Sequence, residues 1–167
     1  LAKETMNGIK VHRVPAKVFK IQGFYPPPLV LCPDFLQHLR KIDARENFDL
    51  FHLHGRWFPD FTLVRKHCNE TKKPLVLTVH NARPIGISPT YTLFGSAYEA
   101  AIGINVLKSA DRLIAVSKWT AADVMKYNLP KKKFTVIYNG INANKFTTAP
   151  NPAVKKKLGM AASDPLL

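Results

Sequence analysis

Cysteine is almost missing from this 167-residue chain, which holds only Cys32 and Cys68, far apart in sequence. Two such thiols cannot staple a fold of this length, so a disulfide scaffold is excluded. With no partner motif around either, they point to a reducing compartment. Acidic residues are also few: 11 Asp and Glu stand against 25 Lys and Arg, leaving a net charge of +14. Long apolar runs are lacking as well. The longest weakly charged stretch, Leu93 to Leu107, is broken by Glu99 and is too short for a bilayer span. The opening residues LAKETMNG hold neither an apolar signal-peptide core nor an initiator methionine, so residues upstream are expected to be absent. Asn69-Glu70-Thr71 has the form of a glycosylation acceptor, but no secretion signal supports that use. Without a sustained period or internal repeat, the coiled-coil, collagen and low-complexity classes fall away.

What remains is globular composition, 46% hydrophobic and 22% charged, at a length natural for one domain. Five short segments rich in Val, Ile, Leu and Phe are predicted strands: Ile9–Val14, Phe48–His54, Leu75–His80, Leu113–Ser117 and Phe134–Tyr138. Several are continuous apolar runs (LVLTV, LIAV, TVIY), as expected of strands covered on both faces. Helical spacing lies between them. Phe35, Leu36, Leu39 and Ile42 form one stripe behind Pro33-Asp34, and Phe61, Val64 and Cys68 a second behind Pro59 and Asp60. A third helix is predicted over Thr92–Lys108, and a fourth after Ser117 with Ala121, Val124 and Met125 inward. Strands alternating with helices imply crossover units, hence an α/β fold: a Rossmann-like open parallel sheet with helices on both faces.

Consecutive prolines exclude helix or central strand from Gly23 to Pro28. The tail beyond Phe146 has little apolar periodicity apart from a Val154–Leu158 turn, and has the character of a connection. The expected division is a domain over residues 1–147, incomplete at its N-terminus, and a linker over 148–167.

Ligands of open parallel sheets bind outside the carboxyl ends of the strands. Here those ends read His52-Leu53-His54-Gly55, His80-Asn81-Ala82-Arg83, Ser117-Lys118-Trp119-Thr120 and Asn139-Gly140-Ile141-Asn142. His52 and His54 share a strand face. They are open to three roles: one packed and one bonded to backbone, a ligand contact, or a metal pair of the kind found in metal hydrolases. A metal needs further ligands, and only Asp60 and Asp111 are acids within reach. His80 is either a solvated loop histidine or a donor to a sugar hydroxyl or phosphate oxygen. Ser117 reads as a helix N-cap, a role compatible with lining an anion site. Asn139-Gly140 has no following strand to make it a hairpin turn.

The basic runs Lys131–Lys133, Lys155–Lys157, Lys72-Lys73, Arg65-Lys66 and Arg40-Lys41 exceed what solubility requires and imply an anionic partner. No zinc-finger spacing, RNP-like aromatic strand or basic heptad helix accompanies them, so nucleic acid is not the expected partner. Glycine-rich phosphate loops are also absent.

In order and spacing, FDLFHLHG, PLVLTVHNARP and SADRLIAVSKWTAADVMKYNLPKKKFTVIYNGINANKF resemble the N-terminal, acceptor-side half of family-4 retaining glycosyltransferases of GT-B fold. The resemblance covers residues 9–146. It implies transfer of a hexosyl unit from a nucleotide-diphosphate sugar to an acceptor hydroxyl on a lipid or glycan, with no metal or other cofactor. It also implies that a second, C-terminal domain holds most of the donor. Carried over by position, His80 is the catalytic candidate. His54, Asn81, Ser117, Asn139 and Gly140 are the substrate-binding ones. Asn142 stands where the family has Asp. The family's first strand with its glycine-rich loop would precede Leu1, and its paired glutamates would follow Leu167. Such an enzyme is expected in the cytoplasm, with a possible peripheral place on the cytoplasmic membrane face. Two readings from other classes stand beside it: a basic membrane- or polymer-binding module without catalysis, and a metal-dependent hydrolase built on His52 and His54.

Overall fold

The computed structural model describes residues 2–19, 29–82, 88–145, 152–161 and 163–164. The chain opens with a hairpin. Strands β1 (Ala2–Met6) and β2 (Ile9–Arg13) pair antiparallel, Met6 facing Ile9. Asn7 and Gly8 turn the chain with φ of 51° and 81°, the left-handed conformations a tight two-residue turn demands. The segment predicted as Ile9–Val14 is therefore a strand, but it pairs with its own upstream neighbour and lies outside the parallel sheet. Strands β3 (Lys17–Phe19) and β4 (Leu29–Leu31) form a second antiparallel pair. The expected linker Gly23–Pro28 falls outside the described residues, as does Arg83–Gly86.

The parallel sheet follows. Strands β5 (Phe51–His54), β6 (Leu75–Val79), β7 (Arg112–Ala115) and β8 (Phe134–Val136) lie side by side in chain order. Their register aligns Leu53, Leu77, Leu113 and Phe134 in one row. Helices α1 (Phe35–Glu46), α2 (Phe61–Thr71), α4 (Ile104–Ser109) and α5 (Lys118–Met125) supply the rest of the core. One cluster joins Leu77, Val79 and Leu113 to Val106, Leu107 and Val124; another joins Phe51 and Leu75 to Val64 and Cys68. The alternate residues Phe51, Leu75, Leu77, Val79, Leu113 and Ala115 are buried. The expected α/β, Rossmann-like parallel sheet flanked by helices is thus the observed fold.

Local differences have local causes. The first strand of the sheet begins at Phe51 rather than Phe48, because Asn47 closes α1 in the left-handed conformation (φ 49°) and its N–H bonds Asp43 O. The third predicted helix starts earlier and runs without a break from α3 (Pro89–Tyr98) through a π-helical turn, Glu99–Gly103, into α4. Met125, expected inward, is exposed on α5. Strand β8 ends at Val136 instead of Tyr138. The expected turn at Val154–Leu158 is a short helix, α6 (Pro152–Lys157).

At the amino ends of the parallel strands sits an ionic knot. The buried Asp43 carboxylate accepts from Lys73 Nζ at 2.6 Å, from His67 Nε2 at 2.7 Å and from the Phe48 N–H at 3.1 Å. It ties α1 to α2 and to the approach to β6. Burial alone raises the Asp43 pKa, but the bonds from Lys73, His67 and Phe48 outweigh it and hold the carboxyl below its ordinary 3.8. Its native pKa being depressed, this contribution to stability is present above pH 3.8 and lost as pH falls through the lower native value. Asp43→Ala leaves Lys73 and His67 facing a void and is expected to lower unfolding free energy by about 3 kcal/mol in chemical denaturation. A wild-type value at neutral pH would remove the knot from the stability of the fold.

Candidate functional site at the carboxyl rim of the parallel sheet

Backbone hydrogen bonds carry the sheet's register into the loops that leave it. Gly55 N–H donates to Thr78 O at 2.8 Å, Val116 N–H to Val79 O at 3.4 Å, and Ile137 N–H to Ala115 O at 3.0 Å. The carboxyl ends of β5, β6, β7 and β8 thus form one rim, and the chain carries His54, His80, Ser117 and Asn139 at or within three residues of those ends.

Among the described residues of the rim, the histidines are in direct contact. His54 Nδ1 lies 2.9 Å from His80 Nε2, and the two rings stack with centroids 5.2 Å apart. His52 packs on the other side of His54, its centroid 4.4 Å away, with its Nε2 2.7 Å from the Thr78 hydroxyl. Two imidazoles bonded nitrogen to nitrogen need one N–H donor and one bare acceptor. The pair can hold one extra proton and keep its bond, but a second puts two donors face to face. Burial, then the neighbouring charges of His52 and His80, push the His54 pKa below its ordinary 6.5.

The other expected residues are placed as follows. Asn81 is exposed next to His80. Ser117 caps α5: its Oγ accepts from Thr120 N–H at 3.0 Å and lies 2.9 Å from Thr120 Oγ1. Asn139 and Gly140 are exposed on the segment leaving β8, before a 3₁₀ turn at Ala143–Lys145. Asn142 Oδ1 accepts from Asn144 N–H at 3.1 Å, a local Asx turn. The reading of one packed histidine and one bonded to backbone is not what is seen: His52 meets a side-chain hydroxyl, His54 another imidazole, and both are exposed.

The acids that a metal hydrolase would need are elsewhere. Asp60 accepts from Cys32 N–H at 3.1 Å. Asp111 lies at the amino end of β7, accepting from Leu75 N–H at 2.8 Å and from Arg65 at 3.2 Å. Among the described residues no group of three or more His, Cys, Asp or Glu is arranged to hold a metal ion.

Sequence reasoning missed what lies under the rim. Arg56, two residues past His54, is wholly buried, its Nη2 2.8 Å from Asp123 Oδ2 on α5 and its Nε 3.5 Å from Glu99 Oε2. Trp57 lies against its guanidinium, 5.3 Å from ring centroid to Cζ, and packs against Tyr98 with the two rings tilted by 34°. Burial, then the nearby Glu99 and Asp60 charges, push the Tyr98 hydroxyl pKa upward. The available signals were a lone acid, Glu99, in an apolar helix, and Asp123, three residues after Thr120 on one side of the next helix.

With this geometry in place, comparison with known proteins decides the family. The family model "Glycosyltransferase Family 4" matches residues 2–145. The chain belongs to glycosyltransferase family 4. Among its relatives is a D-inositol 3-phosphate glycosyltransferase of Thermobispora bispora, 31% identical over 169 residues that cover 96% of this chain and 38% of the relative. Another is an uncharacterised glycosyltransferase of Methanocaldococcus jannaschii, 27% identical over 83% of this chain and 36% of the relative. The chain thus spans a little over a third of the length of either. Among the described residues no helix is long and apolar enough to cross a membrane.

Two outcomes are expected of this family-4 rim. By NMR, the His54 ring titrates below pH 6.5, and His80→Ala brings its midpoint up toward that value. Its native pKa being depressed, His54 makes the protein less stable as pH falls from 6.5, where the unfolded chain takes up the proton first. A midpoint at or above 6.5 in the intact protein would contradict the stacked geometry. Gly103→Ala, normally stabilising in a helix by about 1 kcal/mol, is expected to destabilise by about 1–3 kcal/mol. A Cβ there would stand 2.5 Å from Glu99 Oε2. A raised melting temperature would show that Glu99 yields freely.

Proposed function

We propose that this chain is the acceptor-side half of a retaining hexosyltransferase, residues 1–147 forming the domain and 148–167 leading toward a C-terminal domain. The contact that supports this best is the bonded His54–His80 pair at the carboxyl rim, where an open parallel sheet presents its ligand groups. In the reaction the bond from the anomeric carbon to the nucleoside diphosphate breaks, the diphosphate leaving with the bonding electrons. A new bond forms to the acceptor oxygen on the same face of the sugar, and the acceptor's hydroxyl proton is released. His80 is the catalytic residue, donating a ring N–H to the transferred sugar. His54, bonded to it, orients the imidazole and selects its tautomer. Asn81, Ser117, Asn139 and Gly140 line the same rim and bind substrate. The net charge of +14 favours a donor diphosphate and an acceptor that also carries negative charge, such as a phosphate-bearing lipid or glycan. One relative is named for D-inositol 3-phosphate, a compound that carries such a negative charge.

The test joins this chain to its C-terminal domain and follows glycosyl transfer from a panel of nucleotide sugars. His80→Ala is expected to lower kcat by about 10²-fold, the range for loss of a donor at the reacting centre. An unchanged rate would remove His80 from the site, and no transfer from any nucleotide sugar by the unmodified enzyme would sink the transferase assignment.

A further inference from the structure

Arg56 is the most deeply enclosed charge in the described residues, its side chain 1% exposed, with Glu99 at 3% and Asp123 at 6% beside it. Burying such a group is costly, and apolar side chains of the same volume commonly stabilise a core as well or better. A buried arginine between two carboxylates is therefore weak as a source of stability. What it supplies is direction: a planar fork accepts partners only at set angles.

Three features converge on seating it. Gly55 turns the chain with φ of 89° directly after His54, which sends the next side chain, Arg56, under the rim. The π-helical turn inserts an extra residue where Glu99 faces the guanidinium. Gly103, at the end of that turn, leaves room for the Glu99 carboxylate that any Cβ would take. The partners belong to different elements. Asp123 is on α5, the helix opened by Ser117, while Arg56 is covalently two residues from His54. One guanidinium thus joins the end of β5, the π turn and the body of α5.

We propose that Arg56 is a positioning residue, fixing His54 against His80 and holding that pair in register with α5 through its hydrogen bond to Asp123 and its ion pair with Glu99. It touches no substrate. Its geometric role stands on the distances above, and only its effect on sugar transfer rests on the transferase reading.

Two variants of the 167-residue chain test this by NMR. Arg56→Lys keeps the charge but removes the fork. Arg56→Met combined with Glu99→Gln and Asp123→Asn removes all three charges together, leaving none buried alone. The readouts are the through-space contact between the His54 and His80 rings and, as internal control, that between His67 and Phe51, whose centroids lie 5.4 Å apart at the opposite end of the sheet. The expected result in both variants is a His54–His80 contact weakened several-fold while the His67–Phe51 contact stays intact. A His54–His80 contact at full strength in either folded variant overturns the proposal. So does parallel loss of both contacts, or failure of both variants to fold, since each would assign the network to the core alone. In the two-domain enzyme, Arg56→Lys is expected to lower kcat about tenfold with donor KM little changed, because the missing interaction acts on orientation rather than on binding. A rate within twofold of the unmodified enzyme also overturns the proposal. Absence of transfer by the unmodified enzyme would instead overturn the transferase reading and leave the ring-contact result standing.

Discussion

Everything at the rim depends on the burial of one face of β6. Leu75, Leu77 and Val79 are within 1% of complete exclusion from solvent, and they sit at the centre of a four-stranded register. Because side chains alternate along a strand, sinking these three against the helices fixes the opposite parity as well. Thr78 is thereby aimed at His52, and the chain leaves the strand with His80 against His54. A slip of one residue in β6 would put Leu77 where Thr78 stands and separate the imidazoles. The apolar core and the polar site are two consequences of the same register.

The two ends of the sheet treat charge differently. At the amino ends, Asp43 gathers Lys73, His67 and a backbone N–H, and Lys73 keeps part of its side chain in water. That knot holds α1, α2 and the entry to β6 together, and nothing about it requires a ligand. At the carboxyl ends the ions lie deeper and are less symmetric: one guanidinium faces two carboxylates, beneath a rim whose exposed histidines contact a hydroxyl and each other. The π turn and Gly103 depart from ordinary helix geometry beside that second cluster. Departures of this kind concentrate near sites where position matters more than stability.

Much of this was legible in the chain. The apolar runs LVLTV and LIAV are strands because a parallel strand is covered, and their ends mark the rim by the switch from apolar to His-Asn or Ser-Lys. Ser117 caps its helix as its place after a strand implies. The first hairpin is marked by Asn7-Gly8, a strong turn signal, but its upstream strand AKETM carries no apolar run and so no strand pattern of its own. The π turn has no periodicity of its own and could not be read from apolar spacing.

Sequence by itself therefore determined the class of fold and the family, and marked where the parallel strands end, since these follow from apolar periodicity and from motifs in a given order. Only tertiary structure decided that His54 and His80 share a hydrogen bond while Ser117 turns its hydroxyl back onto its own helix. Only tertiary structure brought Arg56, Glu99 and Asp123 together across the chain. The reason is physical: a local pattern records which side of an element is apolar, but the partner of a buried charge is set by how separate elements meet.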